Sequence, residues 1–113
     1  MPSQREDYLL RQLLQAAEAL RRLQALTGEA SAEEIGRDAD AAIGELLGPR
    51  YQLLSSLDAR SATALIADSR RMELWIGLIR VQAAARRRLN DEAGANTLER
   101  RAEQLEQQAA GAG

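Results

Sequence analysis

At 113 residues with no cysteine, the chain is long enough to bury one modest apolar core without disulfides and cannot carry out thiol chemistry. Its net charge of −2 offers no global attraction to nucleic acid or to an anionic membrane, although all fifteen basic residues are arginine. Histidine is absent and aromatics are only 3%, which removes the commonest general base and leaves a core of Leu, Ile and Ala.

Taken in chain order, Ser3-Gln4-Arg5-Glu6 reads as a capping box that opens a helix, with Gly28 placed to end it. Leu9, Leu13, Ala16, Leu20 and Leu23 step by four and three, the spacing of a heptad seam. Leu10, Leu14 and Ala17 widen that seam into a broad face, which suits a globular core with a partner chain on its flank. A second capping box, Ser31-Ala32-Glu33-Glu34, precedes the apolar face of Ile35, Ala39, Ala42, Ile43, Leu46 and Leu47, closed by Gly48-Pro49. Gly36 and Gly44 weaken this helix or admit another backbone close to it.

Pro49 starts a short turn bearing Tyr51, Leu53, Leu54 and Leu57, and Asp58 caps a further short helix with Ala62, Leu65 and Ile66 inward. Asp68 or Ser69 then caps the most apolar stretch, Met72 to Ala85. Met72, Trp75, Ile76, Ile79 and Ala83 make one stripe there, and Leu74, Leu78, Val81 and Ala85 make another. Two stripes call for neighbours on more than one side, so this is expected to be the central helix. At about 21 Å it is too short to cross a bilayer core of roughly 30 Å. Asn90-Asp91 turns the chain into a last helix using Ala95, Leu98, Ala102, Leu105 and Ala109, expected to be the least buried of the long helices.

These readings predict an all-α bundle in a single domain, 1–113, with about five helices. The helical spans are 3–27, 31–47, 49–57, 59–68, 70–89 and 91–109, and the tail 110–113 frays. No run alternates with period two long enough for a strand.

Asp7-Tyr8-Leu9-Leu10-Arg11-Gln12-Leu13, Glu45-Leu46-Leu47-Gly48 and the leucines Leu53, Leu54 and Leu57 resemble a family of small uncharacterised bacterial proteins. That family joins a leading D-Y-L-x-R helix to a C-terminal helix pair similar to a tetratricopeptide hairpin. The resemblance implies the all-helical fold over about Asp7 to Leu105 and supplies no activity. Met72 to Ala109 would form the hairpin, with Ala95 and Ala102 at small-residue positions. The aromatic positions of such a repeat are missing and only one unit is present.

Candidate sites are few. Glu34 and Asp38 share a helix face, yet Glu33 lies four residues before Arg37, the favourable ion-pair orientation, so a solvated face is expected rather than a metal site. Arg86-Arg87-Arg88 with Arg100-Arg101 is the basic concentration, a candidate nucleic-acid contact. Cations at a helix C-terminus suit the dipole, and neighbouring acids dilute their field. Ser55-Ser56 and Ser61 near Asp58 fit cap and turn roles, and Tyr8 fits packing or an interface contact. No glycine-rich phosphate loop is present, and a small-molecule site at Trp75 would need a cavity beside it.

The sequence therefore leads to a non-enzymatic protein interaction or self-association module, a homodimer among the options. No catalytic residue, metal or cofactor is expected. Leu9, Leu13, Ala16, Leu20 and Leu23 and the weakly apolar last helix are the candidate interfaces, with core burial as the alternative for both. Nucleic-acid binding through Arg86–Arg88 and Arg100–Arg101 is the second hypothesis. The N-terminus lacks the apolar run of a signal peptide, so a cytoplasmic protein is expected.

Overall fold

The structure, a computed structural model, describes residues 4–26 and 30–111. The chain folds into an all-α bundle, with no strand among the described residues. In order the helices are α1 (Gln4–Ala25), α2 (Ala32–Leu47), α3 (Tyr51–Ser56), α4 (Ala59–Ile66), α5 (Ser69–Arg88) and α6 (Glu92–Gly111). A 3-10 turn, Gly48–Arg50, leads into α3.

Local chemistry fixes the ends. Ser31 accepts from the Glu34 amide at 3.1 Å and opens α2. Asp58 accepts from the Ser61 amide at 2.8 Å and opens α4. Of the two residues that could cap α5, Asp68 does so, its Oδ1 accepting from the amides of Arg70 at 3.0 Å and Arg71 at 3.3 Å. Asp91 accepts from the Gly94 amide at 2.9 Å and opens α6. Gly48 closes α2 with φ of +63°, in the region glycine tolerates best. The proposed cap Ser3 and terminator Gly28 lie outside the described residues.

Boundaries otherwise move by up to two residues. The span 49–57 divides into the 3-10 turn and α3, because Pro49 sits in the first turn where its missing amide costs nothing. α6 continues through Ala110 to Gly111, where fraying was expected.

α5 is the central helix. Met72, Leu74, Trp75, Ile76, Leu78, Ile79, Ala83 and Ala85 are all buried, and only Val81 of the two stripes is half-exposed. α6 packs against it on one side and α2 and α1 on others, while α4 rests on α6. α5 and α6 form an antiparallel hairpin through Leu89-Asn90-Asp91, with Asn90 left-handed at φ +64°. Arg80 clamps the hairpin by a bidentate bridge to Glu106, at 2.9 and 3.2 Å.

The last helix is not the least buried. Its Ala95, Ala102 and Leu105 are wholly enclosed, so that row is core and not a candidate interface. α1 is the exposed one: only Ala16 and Leu23 are buried, and residues 4–11 are all exposed. At roughly 33 Å for its 22 residues, α1 reaches past its neighbours. The long axis of the molecule is 47 Å, well beyond any single helix.

Gly77 of α5 faces the Leu20 side chain of α1. A Cβ there would lie 2.7 Å from Leu20 Cδ2, inside van der Waals contact. Gly36 and Gly44 play no such part. Their absent Cβ atoms would meet Ala85 at 3.8 Å and the Tyr51 ring at 3.6 Å, ordinary contacts, which makes them weak points of α2 and not sites of close packing.

Arg71 is 7% exposed and joins three elements. Its guanidinium donates to the Leu46 carbonyl, reaches Gln12 Oε1 at 3.4 Å and faces Asp68 at 3.8 Å. Gln12 in turn donates to the Glu45 carbonyl at 2.7 Å. Two of the last carbonyls of α2, which lack partners inside their own helix, are thus satisfied from α1 and α5.

Candidate interaction surface

α1 carries two apolar rows about a quarter-turn apart, and the bundle covers one. Ala16 and Leu23 are buried, while Leu13 and Leu20 are half-buried against the core. Leu9 is 38% exposed because the helix has run beyond its neighbours there. The heptad seam is thus mainly an internal contact of the monomer. The flanking row is left to solvent, with Leu10 at 56% and Leu14 at 61%. At i and i+4 these two leucines adjoin on the helix surface. Tyr8, 58% exposed, points to another side of the same helix end.

Charges frame the leucines. Asp7, Arg11, Glu18 and Arg21 are all exposed, and none has an ion-pair partner among the described residues. At 100° per residue they fall within about 80° of the mean direction of Leu10 and Leu14, and within about 60° of Leu14 itself. The result is a solvent-facing strip with an apolar middle, acid toward its N-terminal end and an arginine toward its C-terminal end. The remaining exposed leucines, Leu53, Leu65 and Leu89, occur singly on other elements, as on most soluble proteins.

The arginines behave differently from a phosphate-binding cluster. Arg86 faces Asp91 at 3.7 Å, and Arg87 bridges Glu92 at 3.3 Å and donates to Asn96 at 3.2 Å. Arg88 donates to the Ala30 carbonyl at 3.2 Å, tying the end of α5 to the entry of α2. Arg101 lies with its guanidinium 5.5 Å from the Trp75 ring centroid and donates to the Leu54 carbonyl at 3.0 Å. Burial pushes this guanidinium below the ordinary arginine value, against the opposing charge of Asp58. Arg100 is the one of the five without a partner among the described residues.

The other candidates resolve into structure. Trp75 is 3% exposed and sits within the core, packed among buried side chains. Glu34 and Asp38 are exposed, and no group of three or more His, Cys, Asp or Glu among the described residues is arranged to hold a metal. Glu33 and Arg37 do not form the ion pair their spacing suggests; both line a groove of about 610 Å³ between α2 and the α5–α6 turn. Ser61 bonds Asp58 through both its amide and its hydroxyl, which holds that carboxyl below the usual range. Ser56 bonds the Leu53 carbonyl at 2.8 Å. Tyr51 donates to Asp40, and its phenol is pushed up to about 12, mainly by burial and then by that carboxylate.

No helix among the described residues is long and apolar enough to cross a membrane. No known family, characterised protein or solved structure matches the chain, so the family resemblance rests on the short leucine-rich motifs alone.

Proposed function

We propose that this protein is a non-enzymatic self-association module that uses the exposed flank of α1. The observation behind this reading is the Leu10–Leu14 pair, two large apolar side chains side by side in solvent on a helix whose other apolar row is already satisfied. Exposed apolar surface flanked by charge is the common make-up of protein contact sites. The surrounding unpaired charges support the same reading, since elsewhere five ion pairs form among the described residues. The arginines of the nucleic-acid hypothesis, four of them already partnered, give that alternative no comparable support.

The test is solution mass by light scattering over a concentration series, for the wild type and for Leu10→Glu with Leu14→Glu. Both leucines are more than half exposed, so the variant is expected to keep its helical circular dichroism. A wild-type dimer that becomes a folded monomer is the expected result. A wild type that stays monomeric throughout, or a variant that dimerises unchanged, would overturn the proposal.

A further inference from the structure

The charge order along α1 goes further than an interface and specifies its geometry. We infer that two copies pair through α1 antiparallel to one another, about a two-fold axis at Leu14; this rests on the self-association reading above. In an antiparallel helix pair with such an axis, residue i meets residue 28 − i of the second copy. Leu14 then meets Leu14, and Asp7 meets Arg21. One position off that register, Arg11 meets Glu18, within reach of both long side chains, and Leu10 packs over the stem of the same Glu18. All six residues are exposed, and the four charged ones have no ion-pair partner among the described residues.

The match depends on direction. A parallel pairing in register would set Asp7 against Asp7, Arg11 against Arg11 and Arg21 against Arg21. The antiparallel pairing turns every one of these into an opposite-charge contact, and by symmetry each occurs twice. A two-fold interface must be complementary to itself, which the sign order acid, base, apolar, acid, base satisfies only when one copy is reversed. With two leucines per copy as the apolar part, charge sets orientation and partner choice more than it sets affinity. Asp7 and Arg21 each lie seven residues from Leu14, about 10.5 Å from the axis, so the contact spans some four turns of helix.

Charge reversal separates this arrangement from self-association in general. Asp7→Arg alone sets Arg against Arg twice per dimer, and Arg21→Asp alone sets Asp against Asp twice. Each is expected to weaken dimerisation at least about tenfold, with helical circular dichroism retained. Mixing the two single variants restores both pairs, so a heterodimer of near wild-type stability is expected from two chains that each dimerise weakly alone. A second measurement uses the absence of cysteine. Leu14→Cys places its thiols together on the axis and is expected to oxidise rapidly to a disulfide-linked dimer. Leu10→Cys holds them about 12 Å apart along the helices, beyond disulfide reach, and is expected to cross-link slowly. A wild-type dimer whose single variants are unaffected, whose mixture fails to pair, or in which Leu10→Cys cross-links as fast as Leu14→Cys would refute this geometry while leaving self-association standing. A wild type monomeric at every concentration would remove both.

Discussion

Gly77→Ala is a small change with a sign that depends on a residue 57 positions away. In isolation, alanine in a helix interior is favoured over glycine by about 1 kcal/mol. The new methyl, however, would sit 2.7 Å from Leu20 Cδ2 and 3.3 Å from Cδ1, so the Leu20 side chain has to turn out of its place against α5. Overpacking of this kind costs about 1–3 kcal/mol. The net expectation is destabilisation by about 1 kcal/mol, a fall in melting temperature on the order of 4 °C for a domain of this size. In a Leu20→Ala background the obstruction is gone and the same substitution should stabilise by about 1 kcal/mol. Urea unfolding of the four proteins, followed by circular dichroism, measures the coupling between the two sites, expected at about 1–3 kcal/mol. If Gly77→Ala has the same effect in both backgrounds, within the roughly 0.5 kcal/mol of ordinary additivity, Gly77 does not make room for Leu20 and the packing argument fails.

Leu13→Glu with Leu20→Glu should lose helical circular dichroism, because both side chains pack against the core; a folded monomer would return that row to the list of interfaces. Arg71→Met should cost about 2–3 kcal/mol in denaturant unfolding, since it strips the Leu46 carbonyl of a charged donor in a buried place while leaving the volume nearly filled. A neutral result would mean that water serves that carbonyl equally well. Tyr51 has a folded pKa of about 12 against an ordinary 10.0, so the neutral phenol is favoured by folding. Its contribution is complete below pH 10 and is lost as pH rises from 10 through 12. Melting temperatures of the wild type should therefore fall over that window more steeply than those of Tyr51→Phe; parallel curves would show that Tyr51 does not titrate late.

The local elements were legible from residue types alone. Ser31, Asp58, Asp68 and Asp91 cap their helices because a short polar side chain can reach an amide two or three residues ahead, a matter of covalent geometry and not of tertiary context. α5 was identifiable as the centre because apolar side chains on both sides of a helix can be buried only between neighbours. Which row of α1 faces solvent was not legible. The row through Leu13 and Leu20 is the longer, but both rows carry leucines, and which of them is covered lies with α2 and α5, which meet only one. The same holds for the arginines. Arg101 read as a candidate nucleic-acid contact and Arg71 carried no signal; one lies over Trp75 and the other is buried under the end of α2, because their partners at Leu54 and Leu46 are 47 and 25 residues away. Sequence determined the helices, their ends and the central one, since those follow from interactions within a few turns. Tertiary structure alone decided the exposed strip of α1, because burial belongs to pairs of surfaces and no single helix contains the second member of the pair.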